Sequence, residues 1–248
     1  VTSFNTGAQA STNTSASVAP VIPAGVLAGD VMLLCVQLFT TTGTPPVVSF
    51  SGGGGGWTQI GATQVAANAG VWNYGSAWYR VATAGDPGAT LTISETGSPA
   101  ASTWWAVALA AYTAANTGAP ADVNGGAQAA GAVAAVTCPA LSTGVAGDWA
   151  VFMGGGGVHT TITGPAGSAQ RENVVSSAQV GAGIWDSNSS AGPAGTSIGG
   201  GTISTGAGTN WLTAFTIGLA PPPVPVLGLQ QQQSGRSMMR KRLMYSDV

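Results

Sequence analysis

Apolar residues along this chain come in short bursts, each closed by Gly, Pro, Asn or Asp, and the bursts have strand length. The pattern predicts strands over Ser17–Ile22, Val31–Phe39, Trp57–Ile60, Val71–Val81, Thr90–Ser94 and Thr103–Tyr112. It continues with Val133–Cys138, Trp149–Met153, Val158–Thr163, Gln179–Asp186, Thr202–Thr205 and Trp211–Leu219. Val71–Val81 and Thr103–Tyr112 carry the aromatic and β-branched side chains that pack well on a pleated surface. Ala-rich Ala127–Ala135 is flanked and interrupted by Gly126 and Gly131 and lacks charge, which favours loop or strand over helix. The expectation is an all-β fold, an antiparallel sandwich or jelly-roll-like body.

The bursts repeat. PVIPAGVLAGD (Pro20–Asp30) and PALSTGVAGD (Pro139–Asp148) each end in a Gly-Asp pair that opens an apolar strand. TISETGSPAASTWWAVALAAY parallels TISTGAGTNWLTAFTIGLA, and SAWYRVATAGDPG aligns loosely with GIWDSNSSAGPAG. Two related halves, about 15–115 and 131–220, form a body over residues 1–220, with the stretch from Ala114 to Ala130 as their join. One sandwich built from both halves and two tandem small sandwiches both fit, the first being preferred. Superposed halves should bring Asp30 onto Asp148 and Trp104 onto Trp211. The Gly-Asp pairs read as turn chemistry: glycine supplies positive φ and aspartate accepts backbone amides.

Composition changes the picture in one respect. Only 6% of the 248 residues are charged, while 44% are apolar and eight are tryptophan. The apolar content is enough to offset the entropy of ordering a glycine-rich chain. So few charges leave a free monomer weakly protected against association, which favours a subunit of a larger assembly. Residues 1–235 carry two basic groups, Arg80 and Arg171, against seven acidic ones. Arg236, Arg240, Lys241 and Arg242 stand together near the C-terminus against Asp247.

After Ala220 the character changes. PPPVP is stiff and cannot pair in a sheet, VLGLQQQQSG is a polar linker, and RSMMRKRLMYSDV mixes basic and apolar residues. Residues 221–248 therefore read as an extended C-terminal arm. Arg236, Met238, Met239, Arg240, Lys241, Arg242, Leu243 and Tyr245 are its candidate partner-binding residues. Methionines suit irregular grooves, so docking on a neighbouring protein, another subunit of this chain or a different one, is preferred over nucleic acid or membrane.

PAGVLAGDVMLLCV, GWTQIG, WYRVATAGDPGATLTIS and WAVALAAYTAA, followed by GVAGDWAVF, GPAGSAQRE and WLTAFTIGLAP, resemble a β-sandwich unit of minor tail and virion accessory proteins of actinobacteriophages. Similar units occur in actinobacterial surface proteins. The resemblance runs from about Ser15 to Pro221 and leaves out the arm. It implies a structural protein of a phage particle, in the tail or on the capsid, assembled in the host cytoplasm beside other virion proteins. The glycine run Gly52–Gly56 departs from the unit, where a less extreme loop is expected. VTSFNTGAQAS has no basic and apolar leader, which accords with a product that is not exported. The longest apolar runs, such as Trp104–Ala111, are far short of the ~18 residues that cross a bilayer, so no membrane insertion is expected.

Candidate chemistry is sparse. Triads and most metal sites need histidine, and His159 is the one present. Cys35 and Cys138 lie in apolar runs and read as buried thiols, with a disulfide as the alternative. Asp86 and Glu95 are the nearest thing to a carboxylate pair, but Asp86-Pro87-Gly88 is turn chemistry. Gly52–Gly56 lacks the Lys-Ser/Thr ending of a phosphate loop. No cofactor, metal or catalytic activity is expected. Trp72, Trp78, Trp104, Trp105 and Trp185 leave a second function open, stacking on a host-surface glycan. Adjacent Trp104 and Trp105 must point to opposite faces of a strand, so one of them leaves its own core for a partner subunit, a glycan or a covering loop.

Overall fold

The computed structural model describes residues 2–223, apart from 42–45, 53–54, 69, 97–102, 130, 132, 158–160, 177–178 and 207–210. Among these residues it is all β. The first half holds β1 (Ser3–Asn13), β2 (Ser17–Val18), β3 (Val31–Thr40), β4 (Val47–Gly52), β5 (Thr58–Asn68), β6 (Val71–Val81), β7 (Leu91–Thr96) and β8 (Thr103–Thr113). The second holds β9 (Ala121–Ala129), β10 (Ala135–Thr137), β11 (Leu141–Ser142), β12 (Trp149–Gly157) and β13 (Ile162–Thr163). It ends with β14 (Ala169–Ser176), β15 (Val180–Ser190), β16 (Ser197–Ile198), β17 (Thr202–Thr205) and β18 (Trp211–Leu219).

The halves have one topology. In the first, β1-β8-β3-β6-β5 form a five-stranded sheet and β2-β7-β4 a three-stranded one. In the second, β9-β18-β12-β15-β14 and β10-β17-β13 repeat both orders, and the short β11-β16 pair takes the place of the Val21–Thr90 bridge. Consecutive strands alternate between the two sheets as in a jelly roll, except that β5 and β14 turn back onto the larger sheet. The registers agree as well. Trp104 pairs with Phe39, nine residues after Asp30, and Trp211 pairs with Gly157, nine residues after Asp148.

Each half is thus a small two-layer unit, and the two units pack back to back through their larger sheets. β1 faces β14 and β5 faces β9; β8 faces β15 and β6 faces β18; β3 lies on β12. Exchanging the halves maps this set of contacts onto itself, which is the signature of an approximate two-fold axis. Four layers follow, with three cores. Met32, Leu34, Val36 and Leu38 of β3 point into the first half's own core, while Val31, Leu33, Cys35 and Phe39 point into the core between the halves. Ala150 and Phe152 of β12 serve the second half, and Trp149, Val151 and Met153 the shared core. This double covering explains why β3, β8, β12 and β18 read as unbroken apolar runs: strands buried on both faces have no solvent side to make polar.

Trp105 lies in the first half's core, its indole donating to the Ser15 carbonyl at 2.8 Å. Trp104 points the other way and packs with Phe39, which also meets Trp211. The partner that Trp104 leaves its own core to meet is the other half of the same chain. The halves also begin earlier than the repeat suggests, at Ser3 and Ala121, because β1 and β9 are edge strands in which only Phe4 and Val123 are large apolar residues. The join shrinks to residues 114–120.

At one end the shared core is closed by polar chemistry. Arg171 on β14 makes a bidentate pair with buried Asp186 on β15, through Nε at 2.7 Å and a terminal nitrogen at 2.8 Å. The Tyr112 hydroxyl donates to the same carboxylate at 3.1 Å from the first half, and the guanidinium lies over the Phe4 ring. Burial and the Asp186 charge hold the Tyr112 hydroxyl well above the usual phenol range.

Candidate functional site

The residues singled out for chemistry separate in space. Cys35 sits in the shared core, its thiol pushed up to about 11 by burial, and Cys138 in the second half's core, at about 12 for the same reason. Both are free thiols. Asp86 is tied to Arg80 at 2.9 Å and accepts the Thr83 hydroxyl at 3.0 Å, which is the turn role expected of it. Glu95 is buried and accepts the Thr103 hydroxyl. His159 and the arm residues Arg236, Met238, Met239, Arg240, Lys241, Arg242, Leu243 and Tyr245 lie outside the described residues. Among the described residues no group of three or more His, Cys, Asp and Glu side chains is placed to hold a metal, and no helix is long and apolar enough to cross a membrane.

The surface itself is the most unusual feature. The described residues include nine charged side chains. Asp30, Arg80, Asp86, Glu95, Asp148 and Asp186 are buried, and Asp122, Arg171 and Glu172 are half-buried. None stands out in solvent. The outer faces present Thr, Ser, Asn, Gln, Gly and Ala, with Val21, Leu27, Val47 and Val145 as the exposed large apolar side chains. Leu27 and Val145 occupy the same place in the two halves, each three residues before the aspartate of its Gly-Asp turn.

One concavity interrupts the outer face of the first half. A groove of about 270 Å³ opens between β4 and the β3-β6-β5 part of the larger sheet. Gln59, Thr63, Tyr74, Ser76, Trp78 and Val47 contribute to its wall. Trp78 donates through its indole nitrogen to Ser76 at 2.8 Å, Gln59 donates to Thr63 at 3.0 Å, and the buried Tyr74 hydroxyl has no hydrogen-bond partner. No charged side chain lines it.

The second half shows what closes such a groove. By register Trp185 replaces Trp78 and Gly183 replaces Ser76. Without a Cβ at Gly183 and Gly164, the Trp185 ring lies directly against both backbones and is fully buried. Trp78 and Trp72 are the half-buried members of the five tryptophans singled out by sequence, together with Trp104 at the shared core. The alternating pattern of β6 puts Tyr74, Ser76 and Trp78 on one face but does not mark Gln59 or Thr63, whose arrival depends on how β5 folds back.

Comparison with protein-family models, with curated proteins and with solved structures finds no match for this chain.

Proposed function

We propose that the chain is a structural protein of a phage virion, a minor tail protein or capsid accessory protein without catalytic activity, which assembles through its sandwich surface and its C-terminal arm. The observation that carries the assembly reading is the uncharged surface. A protein that circulates alone is kept apart from its copies by exposed charge. Here the charges of the described body are buried or half-buried, most of them engaged in Arg80–Asp86, in Arg171–Asp186 and in strand-opening turns. Faces of hydroxyls, amides and small apolar groups suit permanent neighbours with matching uncharged faces. The sequence resemblance to minor tail proteins supplies the class of particle.

Deleting residues 236–248 tests the reading. The truncated chain is expected to stay folded and to be missing from purified particles, whereas the full chain co-purifies at a fixed copy number. Incorporation of the truncated chain at normal copy number would refute the anchoring role, and absence of the full chain from particles would refute the virion assignment.

The groove favours a second reading, recognition of a neutral host-surface sugar. It joins an aromatic ring to hydroxyl and amide groups, holds no charge, and is smaller than the roughly 300–1,000 Å³ of drug-sized sites, which suits a single ring. Titrating neutral monosaccharides against tryptophan fluorescence checks this. Saturable quenching lost in Trp78→Ala supports it, and an unchanged signal across the series argues for assembly alone.

A further inference from the structure

The two halves serve as controls for each other, and they differ most in chemistry where their Gly-Asp turns meet the edge strand of the larger sheet. In the first half β1 carries a bulge between Phe4 and Thr6, and its extra residue is Asn5. The Asn5 amide donates to Asp30 at 2.7 Å and to the Gly25 carbonyl at 2.9 Å, while Asp30 also accepts the Leu27 amide. The second half repeats the bulge in β9, between Val123 and Ala121 as they pair with Gly218 and Leu219, and its extra residue is Asp122. Leu27 corresponds to Val145 and Asp30 to Asp148. The amide that satisfies the first aspartate has become a second carboxyl group.

Asp122 accepts the Gly144 amide at 2.6 Å and the Val145 amide at 3.1 Å. Asp148 is fully buried, and the Val145 amide, which Asp122 holds at 3.1 Å, is the one donor near it, short of a hydrogen bond to either of its carboxyl oxygens. Two ionised carboxylates have no hydrogen to offer each other, and two negative charges in one dry site repel. β9 brings Asp122 to the site, β18 brings Gly218, and the end of β15 brings Ser190 and Ala191; Asp122 is the titratable group among them. Among the described residues no cation stands near to neutralise the pair, and the backbone amides on Asp122 leave too few oxygens for a calcium shell.

We propose that Asp122 and Asp148 share one proton at neutral pH, and that loss of this proton loosens the Thr143–Asp148 turn against the end of β18. Burial and the neighbouring Asp122 push the Asp148 carboxyl up to about 7. The site lies where the chain leaves the body, since Gly147 sits beneath the Pro221 ring. In the unfolded chain an aspartate loses its proton near its ordinary value of 3.8. Between that value and about 7 the folded state holds a proton the unfolded state has lost, so stability falls as pH rises through this window and levels off above it.

Thermal unfolding of the full chain and its variants from about pH 5 to about pH 8 tests this. Wild type is expected to lose Tm as pH rises to about 7 and to level off above it. Asp122→Asn, which rebuilds the Asn5–Asp30 arrangement, and Asp148→Asn, which removes the titrating group, should each flatten the profile. Asn5→Asp should add a second loss of the same sign by copying the pair into the first half. The protection of the Gly144 and Val145 amides against hydrogen exchange, taken relative to their intrinsic rates at each pH, should fall above neutral pH in wild type and not in Asp122→Asn. Parallel Tm profiles for wild type and both asparagine variants would overturn the proposal. So would a Tm at pH ~8 that calcium restores in wild type alone, since the pair would then hold a metal ion and not a proton.

Discussion

Asp186 accepts a hydrogen bond from the Tyr112 hydroxyl of the first half on Oδ2 and one on each oxygen from Arg171 of the second, and its Oδ1 also takes the Asn188 backbone amide at 2.8 Å. A buried carboxylate with this many donors is fully satisfied, but the arrangement is brittle. Removing one partner leaves a guanidinium facing a neutral site with little water to replace it. Asp186→Asn is therefore expected to cost about 3–5 kcal/mol in denaturant unfolding. The double variant Asp186→Leu with Arg171→Met should cost clearly less, because it removes both charges and keeps the apolar packing on Phe4. Equal losses for the single and double variants would show that the charge pair contributes nothing beyond its volume.

At the level of strands, legibility followed burial. The doubly covered strands β3, β6, β8, β12, β15 and β18 announce themselves as long apolar or aromatic runs, and all six were expected within a few residues of their ends. The Gly-Asp turns identified the repeat, and the matching of Asp30 with Asp148 and Trp104 with Trp211 follows the observed registers. What escaped were β1, β4, β9 and β14, which lie at sheet edges, and the two-residue strands β11 and β16, too short to carry a pattern. SFNTGAQASTN and ADVNGGAQA have neither β-branched runs nor alternation, since they are edge strands that must stay small where long side chains of the other half lie against them. Their glycines are there for close approach: a Cβ on Gly7 would collide with Glu172 of β14, and one on Gly126 with Gln64 of β5. The groove was half legible. Trp78 stood out as an aromatic and Tyr74 shares its face of β6, while Gln59 and Thr63 depend on which strand β5 pairs with, a non-local choice that periodicity does not record. The carboxyl pair was invisible, because Asp122 lies in a stretch read as a join and its meaning comes only from the bulge that aims it.

As a whole the molecule is an internal dimer. The face that each half buries carries Leu33, Phe39 and Tyr112 on one side and Val151, Met153 and Phe215 on the other. Neither half can leave such a face in water. A fragment ending at residue 116 is expected to self-associate through its larger sheet or to precipitate, and co-expression with residues 117–223 should return a soluble one-to-one complex. Sedimentation of the fragments, alone and together, reads this directly, and a monodisperse monomer of either half would contradict the shared core. The pseudo-two-fold axis also has a direction. Tyr112 meets Trp149 near the starts of β3 and β12, and Phe39 meets Trp211 near their ends, so the two central strands run the same way along the axis. Both Gly-Asp turns, the N-terminal Thr2, the 114–120 connection and the departure at Ala220 consequently gather at one pole. A substitution at this pole therefore bears on both halves at once, because the connection between them, both Gly-Asp turns and the end of β18 share it.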